Sequence, residues 1–406
     1  MLLVLISPFL KRRRIRKPAE PFVSVILSAF NEEKSIEQKL LNLLELDYPE
    51  EKLEILIGSD GGSDATDEIV SRFSSPRVRF FRFVKNFGKP SVLASLIHEA
   101  RGSILVFTDA RQELDPRSVR ALVENFGDPE IGCVSGELYF RTPHKSHHDE
   151  NRYPREVGIQ PRIGAPRQRP FSNQKVLLGT PKTQTSNSVG SIGKGMGAYW
   201  EYEKFLRKKE SEVGSMLGAT GALYAIRKRL FSGLPLDTLV DDMYIPLSII
   251  EKGYRVVFEP RAIAYDRVSM RGQEEFTRKV RTLAGNYQIF VRFPHLLVPF
   301  KSPIAWKLFS HKLLRLPAPF FLIGLLVSSL FLISAKFYAG FLAAQVIFYG
   351  MALWEWEALR NHRSPLQKGV GYLPYTFCLL NCSAVMGLIK FIQGISPRRG
   401  WEKAYA

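Results

Sequence analysis

The segment Ser59–Thr66 reads Ser-Asp-Gly-Gly-Ser-Asp-Ala-Thr and directly follows the apolar run 53–57. This order predicts a buried strand, a tight turn and a helix that begins near Ala65, with Ser63 or Asp64 as its cap. Ligands in open α/β sheets bind at the carboxyl ends of strands. The segment therefore constrains the chain to an α/β fold with a candidate site at this strand tip.

Two more strand tips carry polar or aromatic side chains. The run 23–27 leads into Ala29–Glu33, and the run 104–107 leads into Thr108–Arg111. One Asp after a strand is usually a helix cap, but three such tips in alternating order predict a shared site for a polar ligand. Further apolar runs extend the alternation, at 78–83 and 131–134. The pattern predicts a parallel, helix-covered sheet.

The net charge of +18 over 406 residues calls for an anionic partner. Nucleic acid, a phosphorylated substrate and anionic lipid all meet that requirement. The basic residues cluster beside apolar stretches, which favours anionic membrane lipids, and no nucleic-acid-binding module is recognisable. Three cysteines exclude a disulfide framework. Cys378 and Cys382 share one helical face and are interpreted as packing residues rather than metal ligands.

Three long apolar stretches near the end of the chain predict membrane spans, at Leu316–Ser334, Phe337–Trp354 and Gly369–Ile389. The apolar start, 1–10, is followed by a basic cluster and is interpreted as an interfacial anchor or the remnant of a span, with the cluster in the cytoplasm. Three full spans would place the basic stretches 360–368 and 397–403 on opposite sides. A re-entrant hairpin over 369–394 is the alternative, and the sequence leaves both open.

The stretch 141–195 is polar and contains His144, His147 and His148. A solvated insertion is favoured over a metal-binding lid. Order is predicted to resume as a helix, a strand with Gly218 and Gly221, a second helix and a second strand, at 196–209, 217–226, 240–251 and 254–258. Basic amphipathic helices suited to a bilayer surface follow, at 274–293 and 304–316.

The sequence thus predicts five regions. They are an apolar and basic anchor, an α/β domain with the polar insertion 141–195, interfacial helices, a transmembrane region of two or three spans and a basic tail, at 1–21, 22–270, 271–315, 316–395 and 396–406.

The acidic strand tips suggest particular chemistry. A carboxylate beside a diphosphate needs a divalent cation between them, and Asp109 is placed for that role. Asp241 and Asp242 open a predicted helix. They are interpreted either as partners of the helix dipole or as a general base with a neighbour that tunes its pKa.

The motifs, in this order and spacing, are Val23–Glu33, Ser59–Thr66, Gly88-Lys89, Thr108–Arg111, Val240–Asp242 and Arg278–Arg281. Together they resemble the second family of inverting glycosyltransferases, whose membrane members include cellulose, chitin and hyaluronan synthases. The resemblance covers about 22–140 and 197–293, and also the membrane tail. It implies a GT-A-like (Rossmann-like) nucleotide-sugar-binding domain and a nucleotide-sugar donor.

The resemblance also implies roles for individual residues. Phe30 and Glu32 match the nucleoside-contacting segment, and Asp60 matches the aspartate that contacts the base. Lys89 matches a basic residue near the diphosphate. The remaining matches are the first carboxylate of the metal motif, the base for the acceptor hydroxyl and the arginine beside the leaving diphosphate, at Asp109, Asp242 and Arg281.

Two departures from the family pattern matter. Arg111 stands where the metal motif has its second aspartate, so the dependence on Mg²⁺ or Mn²⁺ is open, and the guanidinium is a candidate diphosphate ligand beside the ion or in its place. The QxxRW positions have Arg278 in place of Gln and Thr282 in place of Trp. Processive members usually keep that motif, which favours transfer of one or a few sugars.

The sequence-based hypothesis is a membrane-bound inverting glycosyltransferase of the plasma (inner) membrane, with its catalytic domain in the cytoplasm and a lipid-linked or membrane-proximal glycan acceptor. The alternatives are a catalytically impaired relative that serves as a scaffold or nucleotide-sugar sensor, and a processive polysaccharide synthase. A nucleic-acid partner is not expected. The oligomeric state is not predicted.

Overall fold

The computed structural model describes residues 12, 14–73, 75–141, 191–267, 272–360 and 371–394. The predicted apolar start, the histidine cluster of the insertion, the basic stretch 361–368 and the basic tail lie outside these residues. The whole segment 142–190 lies outside them as well.

The described residues contain eight strands, β1 to β8 in chain order: Val23–Ala29, Leu53–Asp60, Val78–Phe83, Ile104–Phe107, Glu113–Leu114, Ile131–Arg141, Tyr224–Arg227 and Arg255–Arg267. They form one mixed sheet in the order β3-β2-β1-β4-β7-β6-β8-β5. Strands β1, β2, β3 and β4 are parallel, whereas β7 runs antiparallel to β4 and β6. The parallel sheet predicted from the apolar runs up to 131–134 is thus confirmed for β1 to β4, and β7, which lies beyond those runs, adds an antiparallel strand.

Burial on both faces explains why the central strands are continuous apolar runs. In β1 every residue is buried. Val25 and Leu27 pack into a core on one face, while Ile26 packs with Leu56 into a core on the other. Helices therefore cover both faces, and the carboxyl ends of β1, β2 and β4 meet at one edge.

The helices that concern the site are labelled α1 to α10. They are Ile36–Leu44, Thr66–Ser71, Lys89–Glu99, Ser118–Val123, Ser191–Val213, Asp241–Glu251, Gly272–Arg292, Ala318–Phe331, Lys336–Arg360 and Tyr372–Ile392. Each helix predicted up to 293 has a counterpart here, with bounds that differ by a few residues.

The predicted strand 217–226 is wrong over most of its length, because only Tyr224–Arg227 pairs with neighbouring strands. Leu217 and Leu223 are buried, so they are apolar without being part of a strand. The backbone of the segment before Tyr224 forms hydrogen bonds outside the sheet. The Ala219 amide donates to the carbonyl of Asp242 at 2.7 Å.

The predicted amphipathic helix over 304–316 is helical only in part. It has a short helix over Ala305–Lys307 and a wider turn over Leu308–Leu313. Lys307 is buried, and its ammonium donates to the carbonyls of Glu210 and Ser215 at 3.2 and 3.1 Å. This lysine caps the end of α5 instead of facing outward.

The helices α9 and α10 are long and apolar enough to cross a membrane. The first predicted span, Leu316–Ser334, corresponds to α8, which has 14 residues and rises about 21 Å, short of the ~30 Å of a hydrocarbon core. It follows Ala305–Leu313 at an angle of 59°. The described chain therefore has two candidate spans, or three if this bent pair is one.

The candidate spans contact the α/β part through α7, against which α10 packs. Leu283 of α7 lies in an apolar cluster with Leu316 and Ala384. A Cβ at Gly387 would lie 3.0 Å from that of Leu283, so glycine permits the close approach of the two helices.

Candidate active site

The tips of β1 and β2 are tied together by side-chain bonds to backbone amides. Asn31, with φ of 52°, accepts a bond from the Ser63 amide at 2.8 Å. The Asp64 carboxylate accepts from the Glu33 amide at 3.0 Å, and the Glu33 carboxylate accepts from the Ala65 amide at 3.2 Å. Phe30 lies half-buried beside this junction. The junction fixes the entrance of the predicted nucleoside site.

Asp60 is 2% exposed, and its carboxylate is engaged by backbone. Its two oxygens accept from the amides of Phe87 and Gly88 at 2.7 and 2.8 Å. Gly88 has a φ of 91°, which favours glycine, and directly precedes α3. The carboxylate thus positions the first residue of α3, Lys89. Its expected contact with a nucleobase stays a prediction.

Lys89 lies between two carboxylates of the site. Its ammonium is 2.9 Å from Asp109 Oδ1 and 3.4 Å from Asp241 Oδ1. Burial favours the neutral amine, but the attraction of Asp109 and Asp241 outweighs it, and the pKa of Lys89 lies above its ordinary value. The lysine is therefore a fixed cation where β4 and α6 meet.

Asp109 is an ionised carboxylate in this arrangement. Burial opposes ionisation, but Lys89, followed by Arg111 and Arg281, holds the pKa of Asp109 below its ordinary value. Arg111 also lies 3.7 Å from Glu32 Oε1. The structure thus brings Glu32, Lys89, Asp109 and Arg111 together.

Arg281 belongs to this group through its charge, whereas Arg278 is exposed. Both residues lie on α7 and make interactions with their surroundings. The predicted contribution of Arg278 to a donor site stays a prediction.

Asp242 lies one residue beyond the lysine-bound Asp241, in the first turn of α6. Burial, followed by the charge of Asp241, raises the pKa of Asp242 from 3.8 to about 6. A carboxylate with such a pKa suits general base catalysis near neutral pH. A Cβ at Gly221 would lie 3.1 Å from Asp242 Oδ2, so glycine leaves room beside this oxygen.

The protein side chains at the site supply few ligands for a divalent cation. No group of three or more His, Cys, Asp or Glu side chains in the described part of the chain could hold a metal. Asp109 nevertheless presents one ionised carboxylate, and Mg²⁺ is commonly bound by one or two carboxylates together with substrate phosphates and water. The residues thus fit a cation that is completed by a diphosphate.

A cavity of about 670 Å³ extends from Asp242 towards the candidate membrane helices. Its walls change in character along its length. The lining has three parts: Asp242 with Gly218 and Ala219; a charged collar of Arg207, Lys279, Lys312 and Arg315; and an apolar end of Phe321, Leu322 and Leu325 of α8 with Phe377 and Leu380 of α10. The cavity therefore joins a carboxylate, a charged collar and an apolar end.

The charged collar is held by carboxylates of α5. His311 Nδ1 lies 2.7 Å from Glu210 Oε1, and His311 Nε2 lies 3.3 Å from Glu203 Oε2. Arg315 donates to Glu203 Oε1 at 2.9 Å. These contacts fix the segment before α8 onto α5, which shapes the middle of the cavity.

Three residues of the site were not predicted from the sequence. Arg207 lines the cavity and donates to Thr220 Oγ1 at 2.6 Å. Tyr224 stacks on Phe107 at 4.6 Å and lies 3.4 Å from Asp241 Oδ2. The buried Lys39 supports the turn that carries Asp109. Only Lys39 had a sequence signal, a lysine within the apolar face of a predicted helix.

Known proteins resemble this chain in sequence and in fold. Residues 24–184 match the family model described as Glycosyl transferase family 2. Poly-beta-1,6-N-acetyl-D-glucosamine synthases of Staphylococcus aureus and Staphylococcus epidermidis are 24% identical over 275 and 277 residues. These matches cover 66% of this chain and 56% of the relatives, so the chain matches little more than half of their length.

Among solved structures, a mannosyltransferase from Pyrobaculum calidifontis in complex with GDP-Man and Mn²⁺ aligns with a TM-score of 0.66 and 21% identity. The alignment covers 96% of this chain and 93% of the mannosyltransferase chain. At this identity the likeness concerns the fold, which includes the helices after the α/β part.

Proposed function

This chain is a family-2 glycosyltransferase, and from that premise we propose that it transfers one or a few sugars from a nucleoside-diphosphate sugar to an amphiphilic acceptor at a membrane. The observation that carries the proposal is the cavity that leads from Asp242 to apolar side chains of α8 and α10. A water-soluble acceptor would have no use for the apolar end.

The proposed donor site uses the cations around Asp109. Lys89, Arg111 and Arg281 offer positive charge to a diphosphate that gains negative charge as it leaves. A divalent cation, held by Asp109 and the diphosphate, would supply further charge neutralisation. Phe30 and Glu32 at the tied strand tips are the proposed nucleoside contacts. The complex of the mannosyltransferase with GDP-Man supports this class of donor.

The proposed reaction has Asp242 as its base. The carboxylate accepts the proton of an acceptor hydroxyl, whose oxygen forms a bond to the anomeric carbon. The bond between that carbon and the diphosphate oxygen breaks, and the diphosphate leaves with the electron pair. Attack from the face opposite the leaving group inverts the anomeric configuration. Asp241 contributes by raising the pKa of Asp242 and by orienting Lys89.

The proposed acceptor is a lipid-linked or membrane-proximal glycan. Its polar end would lie at Asp242 and its apolar part between α8 and α10. Basic residues beside the candidate spans favour a cytoplasmic position for the α/β domain at the plasma membrane.

A processive polysaccharide synthase is the second candidate, because the curated relatives synthesise a polymer. The replacement of Gln and Trp by Arg278 and Thr282 favours short products. Product length separates the two, since a processive enzyme releases long chains before most of the acceptor is used.

The test of the acceptor proposal fills the apolar end of the cavity. We expect Leu380→Trp to lower incorporation of label from UDP-GlcNAc or GDP-mannose into membrane lipid by about tenfold or more, since the ring of the new side chain occupies the space of the acceptor. Nucleotide binding should not change. Leu373→Trp is the matched control, because Leu373 lies on the same helix and is 75% exposed. Unchanged incorporation in Leu380→Trp would refute a membrane-side acceptor path.

A further inference from the structure

A second cavity of about 490 Å³ lies between the segment that precedes β1 and helix α5, and it shares no lining residue with the cavity at Asp242. We call it the basic groove. Its polar lining consists of Arg12, Arg14, Arg16, Lys208, Ser211 and Glu212. Four cations thus face one carboxylate in a concave site to which the proposed reaction assigns no role.

Two chain segments form the walls of the groove, the segment before β1 and helix α5. Arg12, Arg14 and Arg16, all from the segment before β1, line the groove. Lys208 and Glu212 are one turn apart on α5. The Arg12 amide donates to the carbonyl of Glu212 at 2.9 Å, which fixes the segment against the last turn of the helix.

The four cations fall into two classes. Arg14 and Arg16 build the wall, since Arg14 donates to the Phe258 carbonyl and to Ser211 Oγ at 2.8 Å each, and Arg16 lies 3.0 Å from Glu259. Arg16 is exposed although Glu259 engages its guanidinium. Arg12 and Lys208 are exposed and line the groove. Their charges are therefore accessible to a ligand in the groove.

The positive potential extends beyond the groove itself. Burial, followed by the charge of Arg16, lowers the pKa of Arg14 to about 10. The charge of Arg12 also contributes, after burial, to the lowered pKa values of Arg255 and Lys307. An anion in the groove would relieve this repulsion between cations.

The helix that carries Lys208 also contacts the candidate membrane region. Glu210 holds His311 in the segment before α8, and α5 packs against α10. The groove therefore lies on the element that joins the catalytic part to the spans. Anionic headgroups are the phosphates that occur at high local concentration near such an element.

We propose that the basic groove binds the phosphate of an anionic bilayer lipid, with Arg12 and Lys208 as its contacts and with Arg14 and Arg16 as its wall. The site is independent of the proposed reaction. A soluble phosphate anion shares the same chemistry, and the experiment separates the two sources.

The experiment measures lipid binding to the detergent-purified full chain by native mass spectrometry, with phosphatidylglycerol and with phosphatidylcholine. We expect Arg12→Gln with Lys208→Gln to weaken binding of phosphatidylglycerol about 25-fold, since each cation near an anionic surface contributes about fivefold. Arg101→Gln with Arg117→Gln removes the same charge from exposed positions elsewhere and should bind as the wild type does. Binding of phosphatidylcholine should not change.

A substitution with the opposite sign guards against loss of fold as the explanation. Glu212→Gln removes the carboxylate that lines the groove and should tighten binding of phosphatidylglycerol. Equal binding of phosphatidylglycerol by the double variant and the wild type would overturn the proposal. Thermal stabilisation by millimolar inorganic phosphate that the double variant loses, with unchanged lipid binding, would overturn the lipid as the source of the anion.

Discussion

Asp242 has its raised pKa because of where its neighbours lie. It is half-buried at the start of α6 beside Asp241, and both effects favour its neutral form. Lys89, and then Arg207, oppose them. The balance leaves the pKa at about 6, so most of the carboxylate is ionised at pH 7 and can accept a proton.

The rate of transfer should therefore fall as the pH decreases through about 6, where Asp242 becomes protonated. Arg207→Gln removes a cation that stabilises the ionised form, so it should raise the pKa and move this limb to higher pH. The measurement is kcat against pH for both proteins. An acid limb at the same pH in Arg207→Gln would contradict an influence of Arg207 on the base.

Asp242→Asn provides the control for the assignment of the base. It should lower transfer by about 10² to 10⁴-fold, the usual contribution of a general base, and should retain binding of the nucleotide sugar. Full turnover in this variant would remove Asp242 from the proposed role.

At the scale of elements, the turn after β4 depends on a buried lysine. Lys39 of α1 is 2% exposed, and its ammonium donates to Thr108 Oγ1 at 2.8 Å and to the Gln112 carbonyl at 2.7 Å. These two bonds bracket Asp109. Burial lowers the pKa of Lys39 from 10.5 to about 7.

This pKa gives the stability of the fold a predictable dependence on pH. Between about 7 and 10.5 the unfolded lysine is protonated while the folded one is largely neutral, so stability rises with pH across this interval. Lys39→Met should remove this contribution, which is measured as the difference in Tm between variant and wild type at several pH values. Lys34→Met, at an exposed position, is the control. A constant difference from pH 7 to 10 would contradict the lowered pKa.

The loop before β7 also shapes the site, because it leaves space at Asp242. In Gly221→Ala the new Cβ would lie 3.1 Å from Asp242 Oδ2 and would press on the carboxylate. We expect kcat to fall about tenfold or more with little change in nucleotide affinity, since a small misplacement of a catalytic group is costly. Gly340→Ala, where a new Cβ meets nothing within 4 Å, should leave both unchanged. A loss of nucleotide affinity alone would argue against this reading.

The same loop shows what the sequence predicts and what it does not. The strands Val78–Phe83 and Ile104–Phe107 have the bounds predicted from their apolar runs. The run 217–226 is equally apolar, but its first part is buried under α6 as a loop. Local sequence reports burial, whereas strand pairing depends on partners distant in the chain.

In the candidate site, too, features set by local sequence were predictable and features set by distant contacts were not. The carboxylates at the strand tips were predictable because a turn follows each strand. Arg207 and Tyr224 were not, since they reach the site only through the packing of α5 and β7 on neighbouring elements. The engagement of Asp60 by backbone amides likewise depends on a segment 27 residues away.

For the molecule as a whole, the donor proposal predicts stabilisation by a nucleotide. The nucleoside diphosphate of the donor should raise the Tm of the detergent-purified protein by mass action, more with Mg²⁺ or Mn²⁺ than with EDTA. Arg111→Ala should make the stabilisation depend more strongly on the metal, since the variant loses one of the three protein cations proposed to bind the diphosphate and keeps Lys89 and Arg281. Arg101→Ala, at an exposed position, is the control. The absence of any shift with a panel of nucleotides would contradict the donor site.

The cavity between the base and the candidate spans has a kinetic consequence. An acceptor that enters along α8 and α10 diffuses in two dimensions and never equilibrates with bulk water. The rate would then depend on the mole fraction of acceptor in the bilayer, and dilution with inert lipid would slow the enzyme even when the amounts of acceptor and protein per volume stay the same. The density of acceptor in the membrane surface, rather than its amount per volume of solution, would therefore set the rate of this glycosyltransferase.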